Sequence, residues 1–293
     1  MTESSRALLG QLIARRAGLM VPGAYDGVSA RLVEHAGFEA VYMTGYGTSA
    51  SRLGLPDLGF AGLAEMVENV RQIAAAVRIP LIADADTGYG GPLAVARTVR
   101  AYEDAGAAAL HLEDQVWPKR CGHLAGKEVV PAEEMVARIR AAVEARRDPA
   151  LTLIARTDAI AVTGFDDALA RAEAYAKAGA DVAFVEAPTT IAQIEAIPKA
   201  VSVPCLFNYA PGGRSPLLPV ARLRDLGYAI VLLPVQSLFA AARAVGDYLA
   251  ALRQAGEPGG LESRLMAFGD FNSLLGIPAL LEQEQRLRSA PDA

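Results

Sequence analysis

The sequence predicts a closed (β/α)₈ barrel, and three observations carry that expectation. Eight short apolar runs alternate with longer amphipathic segments along the 293 residues. Four of those segments end in the same signal, a glycine just before the next apolar run. No linker or low-complexity stretch interrupts the alternation, so a single core must hold all eight units.

The expected strands lie near Gly18–Ala24, Ala40–Thr44, Leu81–Asp86, Ala108–Glu113, Thr152–Thr157, Val182–Glu186, Cys205–Tyr209 and Ala229–Leu233. Between them the amphipathic segments Ser29–His35, Ala61–Ala76, Leu93–Asp104, Pro131–Arg146, Asp166–Lys177, Thr190–Ile197 and Pro219–Asp225 read as helices. His35-Ala-Gly37, Asp104-Ala-Gly106, Lys177-Ala-Gly179 and Asp225-Leu-Gly227 put glycine where a helix ends in the left-handed conformation. An Ala-rich helix, Ser237–Ala255, follows the eighth strand, then Gly256-Glu-Pro-Gly-Gly260 and a last helical segment, Leu261–Leu275. The organisation expected is a single barrel domain over 1–293, with 237–293 as a C-terminal helical extension. Eight units need one closing helix, so the final segment is expected to pack on a partner subunit, the glycine-rich hinge letting it leave its own barrel, with capping of that barrel the alternative.

The chain is 52% hydrophobic and 21% charged, with formal net charge −5. Mild acidity without a basic run argues against nucleic acid as a partner. Two cysteines in so long a chain fit a reducing cytoplasm better than a disulfide framework. The N-terminal residues lack a signal-peptide pattern, and no apolar run reaches the roughly 18 residues of a membrane span. A cytoplasmic protein acting on a small molecule is the expectation.

Two connections, Thr44–Gly62 and Asp114–Pro131, far exceed the usual βα length of about 2–6 residues. Both follow strand C-terminal ends, the face where barrels put their sites. Asp84 and Asp86 alternate at the end of one strand and are expected to project together. Glu113, ending the next strand, could meet them across the sheet, and Asp57 could reach the same place from the first long loop. Such hard oxygen donors suit Mg²⁺, with Mn²⁺ also acceptable.

The second loop contains Lys119-Arg120-Cys121-Gly122-His123. Cys121 stands among Lys119, Arg120 and His123, a positive setting that favours thiolate, and His123 could orient the thiol or tie the loop down. Cys205, in an apolar strand, reads as buried filler. His111 shares a face with Glu113 and reads as a hydrogen-bonding group behind the ligands. Arg156 suits bidentate carboxylate binding or a structural pair with Glu186 or Asp158. Glu186 and Asn208 end strands six and seven as candidate substrate contacts. Thr44-Gly45-Tyr46-Gly47 offers backbone N–H groups to a carboxylate, and Tyr42 is either a proton shuttle or a core tyrosine.

Together, Asp84-Ala-Asp86-Thr-Gly88-Tyr-Gly90, His111-Leu-Glu113-Asp114-Gln115, Lys119-Arg-Cys-Gly-His123 and Ala155-Arg156-Thr157-Asp158-Ala159 resemble the isocitrate lyase/phosphoenolpyruvate mutase superfamily. Within it the chain is similar to the 2-methylisocitrate lyases and 2,3-dimethylmalate lyases, from about Val21 to about Leu252. The resemblance implies a Mg²⁺-dependent barrel whose eighth helix is swapped between subunits of a homotetramer. It further implies that Cys121 is the catalytic acid on a closing loop, and that Asp84, Asp86 and Glu113 organise the metal through waters. Arg156, Glu186 and Asn208 match substrate-site positions, and Tyr42 matches a proposed base. The chain departs from methylisocitrate lyases at Tyr46, which adds bulk beside the keto-acid pocket, and at Tyr209-Ala210-Pro211, where a hydroxyl and a carboxylate are lost. Arg214 and Ser215 are candidate substitutes for those contacts, and Leu124-Ala-Gly126-Lys127 is a less basic loop end.

The expected function is Mg²⁺-dependent carbon–carbon cleavage of a 2-hydroxy di- or tricarboxylate to a 2-keto acid and a second carboxylate. The alternatives are decarboxylation or hydrolysis of oxaloacetate on the same scaffold and, more remotely, a non-catalytic dicarboxylate-binding barrel.

Overall fold

The computed structural model describes residues 4–122 and 126–289. All eight expected strands form: β1 (Leu19–Ala24), β2 (Val41–Met43), β3 (Leu81–Asp84), β4 (Ala109–Glu113), β5 (Thr152–Thr157), β6 (Val182–Val185), β7 (Cys205–Asn208) and β8 (Tyr228–Leu233). They are parallel and close into a barrel in chain order, β8 pairing with β1. The helices are α1 (Ser5–Ala14), α2 (Gly27–His35), α3 (Gly45–Thr48), α4 (Leu63–Ala76), α5 (Pro92–Asp104), α6 (Ala132–Ala145), α7 (Phe165–Lys177), α8 (Ile191–Ala200), α9 (Val220–Asp225), α10 (Gln236–Ala255), α11 (Phe268–Leu274) and α12 (Ile277–Ser289). The four cap glycines, Gly37, Gly106, Gly179 and Gly227, have φ of 84°, 100°, 108° and 98°, the left-handed region that stops a helix without a Cβ penalty.

Three features differ from the sequence expectation. The strand expected to reach Asp86 stops at Asp84, and Asp86 turns left-handed at φ 46°. A tight turn closed by Gly88 N–H on the Ala85 carbonyl (2.9 Å), and not strand alternation, therefore orients Asp86. The segment Leu261–Leu275 is not one helix: a single 3₁₀ turn, Glu262–Arg264, precedes α11. Finally, α1 and α12 were not anticipated, although each carries a signal. Ser4 caps α1 by accepting from the Ala7 amide (3.2 Å), ahead of apolar Leu8, Leu9, Leu12 and Ile13. Gly276 at φ 82° and Pro278 mark the break before α12.

By packing, the chain divides into two compact units, Met1–Leu238 and Phe239–Ala293. In the first, Leu9, Leu12 and Ile13 of α1 cluster with Leu19, Ala40, Ala108 and Val182 at the strand starts. Tyr42, Ile82, Ile154, Phe184, Leu206, Ile230 and Leu232 continue that cluster through the barrel interior. In the second unit no residue of α11 or α12 is buried, and Leu265, Met266, Phe268, Leu280, Leu281 and Leu287 are exposed. No helix among the described residues is long and apolar enough to cross a membrane.

Candidate active site

Strand C-terminal ends carry most of the polar candidates: Tyr42 on β2, Asp84 on β3, His111 and Glu113 on β4, Arg156 on β5 and Asn208 on β7, with Glu186 directly after β6. Sheet register sets their neighbours, because Asp84 lies opposite His111 and Glu113 opposite Arg156. All of these except the half-buried Asn208 are buried, so their charges must be balanced locally.

Asp84 is held by three donors. The amides of Gly45 (3.1 Å) and Asp86 (3.0 Å) and the Tyr42 hydroxyl (3.3 Å) all point at its carboxylate. A side chain at position 45 would collide with that carboxylate, a Cβ coming within 2.5 Å of Oδ2, which explains the glycine. Burial alone would raise the Asp84 pKa. His111, Lys119, Arg156 and the Asp86 amide outweigh it and hold the carboxyl at about 2. His111 Nε2 is 3.4 Å from Asp84 and 2.7 Å from the Tyr42 hydroxyl. Burial pushes His111 below its usual range, with the Asp84 charge opposing it. Burial, and then the Asp84 charge, push the Tyr42 phenol well above its usual range. Asp84 is thus ionised, buried, and among the described residues without a lysine or arginine at ion-pair distance.

The other carboxylates each have a cation. Lys119 Nζ sits 2.6 Å from both Asp57 and Asp86, joining the two long loops. Its charge is therefore committed to these acids, where the sequence reading had assigned it to the thiol. Burial, opposed by Lys119 but reinforced by Asp84 and Asp57, raises Asp86 to about 7. Arg156 grips Asp158 through Nε (2.8 Å) and Nη2 (3.1 Å), lies 3.3 Å from Glu113 and 3.7 Å from Glu186, and covers the Phe184 ring at 5.1 Å. Burial nonetheless leaves Glu113 well above the usual carboxylate range. Asn208 donates to Glu186 (3.0 Å). Lys127 contacts Asp158 at 2.7 Å. Six buried acids, Asp57, Asp84, Asp86, Glu113, Asp158 and Glu186, thus face three buried cations, Lys119, Lys127 and Arg156, an excess of three carboxylates.

Among the described residues no three acids, imidazoles or thiols converge closely enough to hold a bare ion between them. Asp57 and Asp86 are spread around Lys119, and Glu113 is engaged by Arg156 and by Gln115 (3.0 Å). The arrangement fits an ion held by Asp84 and, through its water shell, by the surrounding oxygens, since Mg²⁺ keeps several waters. Gly45 and Gly47 differ from expectation: their amides are spent on Asp84 and on the Thr44 hydroxyl (3.2 Å), so they are not open to a ligand. Tyr46 beside them is half-buried.

Cys121 is half-exposed, and the residue after it lies directly on the site. A Cβ at Gly122 would come within 2.4 Å of Arg156 and 2.9 Å of Glu186, so only glycine lets the thiol-bearing loop approach so closely. His123 lies outside the described residues. Ser215 is buried, its hydroxyl without a hydrogen-bond partner among the described residues. Cys205 is buried in β7, which pushes its thiol up to about 12 and makes it inert packing. The Arg156–Asp158 pair that the sequence offered is present, whereas sequence reasoning missed the bridging role of Lys119 and the contributions of Lys127 and Gln115. Asp158 alternates with Arg156, which was the available signal; the lysines' partners are distant in sequence.

The phosphoenolpyruvate phosphomutase family profile matches residues 9–253. A 2,3-dimethylmalate lyase of Eubacterium barkeri is 43% identical over 281 residues, covering 96% of this chain and 97% of that protein. A 2-methylisocitrate lyase of Salmonella typhimurium is 44% identical over 245 residues, covering 83% of each. Among solved structures, oxaloacetate acetylhydrolase in complex with the inhibitor 3,3-difluorooxalacetate superposes with a TM-score of 0.93 at 39% identity, covering 99% of both chains. Phosphonopyruvate hydrolase in complex with oxalate and Mg²⁺ superposes at 0.88 with 31% identity, covering 97% of this chain and 99% of that one. With its barrel, its acid cluster and these relatives, the chain belongs to the phosphoenolpyruvate mutase/isocitrate lyase superfamily.

Proposed function

We propose that this protein is a Mg²⁺-dependent lyase that breaks a carbon–carbon bond in a 2-hydroxy di- or tricarboxylate of the dimethylmalate or methylisocitrate type. The products are a 2-keto acid such as pyruvate and a second carboxylate. The observation that carries the reading is the close approach of Gly122 to Arg156 and Glu186, which sets the backbone next to Cys121 against a buried acid cluster. A divalent ion at Asp84, with Mn²⁺ an acceptable substitute, would bind the hydroxyl and adjacent carboxylate and lower the proton affinity of that hydroxyl. The excess of three buried carboxylates supports such a cation, with Asp84 its anchor and Asp86, Glu113 and Asp57 around it.

Tyr42, between Asp84 and His111, is suited to relay the hydroxyl proton: as the phenol takes the substrate's proton, its own passes to His111 Nε2, 2.7 Å away. Arg156, oriented by Asp158, faces the substrate's carboxylates together with Glu186 and Asn208. Ser215, its buried hydroxyl without a hydrogen-bond partner among the described residues, is a candidate for the distal part. Thr44, Gly45, Tyr46 and Gly47 shape the wall behind Asp84, Gly45 by supporting that carboxylate. The Cys121 thiol protonates the carbanion left after cleavage, with His123 two residues further along the sequence. A hydroxyl is a far weaker acid than a thiol. Cys121→Ser should therefore lower turnover by about 10²–10⁴-fold, the usual worth of a positioned proton donor. Keto-acid release is measured on 2,3-dimethylmalate, 2-methylisocitrate, isocitrate and oxaloacetate. Near-wild-type turnover in the variant would remove the thiol from the mechanism.

Hydrolysis or decarboxylation of oxaloacetate is the second reading, favoured by the 0.93 TM-score with oxaloacetate acetylhydrolase. It needs no thiol acid, so selective oxaloacetate consumption that survives Cys121→Ser would establish it. The exposed apolar side chains of the second unit support a homotetramer in which the C-terminal helices are exchanged between subunits. Truncation after Pro258 should give a smaller, aggregation-prone species by light scattering. A monomeric full-length chain at micromolar concentration would end that proposal.

A further inference from the structure

We propose that Lys127 is a positioning residue that fixes the backbone beside Cys121 and ties it to the same carboxylate that orients Arg156; this rests on the thiol-acid reading above. The Asp114–Pro131 connection returns on itself as a short antiparallel ribbon. Gln115 bridges to Val129, the Val116 amide donates to the Glu128 carbonyl (2.9 Å), and the Val130 amide donates to the Asp114 carbonyl (2.8 Å). The returning limb thereby delivers Lys127 into the site, where its ammonium is buried. Lys127 Nζ donates to the backbone carbonyl of Gly122 and, at 2.7 Å, to Asp158 Oδ1.

Asp158 in turn accepts two bonds from Arg156, and its own amide donates to Asp114 (2.9 Å). On the other side of the thiol, Gln115 accepts from the Arg120 amide (3.0 Å) and donates to the Arg120 carbonyl (2.8 Å), while also reaching Glu113. Cys121 is therefore held by its two neighbours, Arg120 by Gln115 and Gly122 by Lys127. Each anchor ends on a carboxylate partner of Arg156, Glu113 in one case and Asp158 in the other. Repositioning Arg156 changes the hydrogen-bonding environment of both anchors. The group that grips a substrate carboxylate and the group that delivers the proton share one network, and Lys127 is its link to the thiol.

The test is Lys127→Met, with Lys127→Arg as the conservative variant. Asp158 keeps both bonds from Arg156 when the lysine is removed, so the fold should survive. Lys127→Gln serves as a second variant if the methionine protein does not fold. Iodoacetamide labelling, read residue by residue by mass spectrometry, reports the Cys121 environment without any turnover. Cys205 in the same chain serves as the control for global loosening. Lys127→Met should raise the Cys121 labelling rate several-fold with Cys205 unchanged. It should also lower kcat by about 10²-fold, the cost of an ångström-scale misplacement, with a much smaller change in KM. Lys127→Arg should restore much of both. Wild-type Cys121 labelling in Lys127→Met and Lys127→Gln overturns the proposal whatever turnover does. Altered labelling with Cys121-independent turnover would uphold the anchoring while sinking the thiol-acid reading.

Discussion

The two ends of the barrel interior are built from opposite materials. At the strand starts, Leu9, Leu12 and Ile13 of α1 plug the barrel against Leu19, Ala40, Ala108 and Val182, with no charge among them. At the strand ends, six buried carboxylates crowd around three cations. Burying apolar surface is favourable at about 25 cal/mol per Å². Burying charge is costly even when it is paired, and a bare charge more so. The comparison teaches a division of labour: the plugged end supplies stability that the charged end consumes. Substitutions at the top should therefore remove activity with little loss of stability, and those at the bottom the reverse.

Asp84 should break the comparison most sharply. As the ionised site acid without a lysine or arginine at ion-pair distance among the described residues, it carries the charge that a divalent cation would offset. Asp84→Ala is expected to abolish turnover and the thermal stabilisation that added Mg²⁺ gives the wild type, a linkage that grows as RT ln(1 + [Mg²⁺]/Kd). In the absence of the ion any fall in melting temperature should be small beside the lost Mg²⁺-linked stabilisation, since the Gly45 and Asp86 amides lose their acceptor while the cost of burying the charge is removed. A keto-acid assay reads the first, and calorimetric Mg²⁺ titration with melting curves reads the other two. Undiminished Mg²⁺ affinity would mean that the metal site lies elsewhere. Cys121→Ser follows, losing turnover while keeping Mg²⁺ binding.

Asp57→Ala should do less. Its carboxylate shares Lys119 with Asp86, and the lysine keeps one partner when Asp57 is removed. A residue acting through the water shell can be replaced by another water, so Mg²⁺ affinity should fall by about tenfold or less. A loss as large as that of Asp84→Ala would make Asp57 a direct ligand.

The plugged end and the charged end were not equally legible in the sequence. Strands, helices and their order followed from apolar periodicity and from glycines such as Gly106 and Gly179, because those signals are local. The acids were legible as residues but their pairing was not. Asp86 enters the site through a left-handed turn that alternation could not foresee, and Lys119 bridges two loops far apart in sequence. Which charge answers which is decided by three-dimensional proximity. The α1 plug was written in the sequence as Ser4 followed by Leu8, Leu9, Leu12 and Ile13, but a helix before the first strand is not required by eight βα units. Its purpose appears only once the barrel mouth it fills exists.

The plug offers the smallest expected effect on chemistry and the cleanest separation of the two ends. Leu12 is 2% exposed and packs within the cluster that lines the strand starts, at the opposite end from Asp84. Truncating it to alanine removes buried methyl groups and leaves a cavity that surrounding strands can only partly fill. Substitutions of this kind cost about 2–5 kcal/mol. The strand ends stay in register through their own ladder, since Glu113 remains opposite Arg156 and Asp84 opposite His111. Leu12→Ala should therefore denature at lower temperature and lower denaturant concentration. Below its transition it should keep wild-type kcat, KM and Mg²⁺ affinity. Denaturant melts paired with steady-state kinetics at a permissive temperature measure both sides. A variant that stays stable but loses turnover would show that the two ends are mechanically coupled, and the division between them would have to be abandoned.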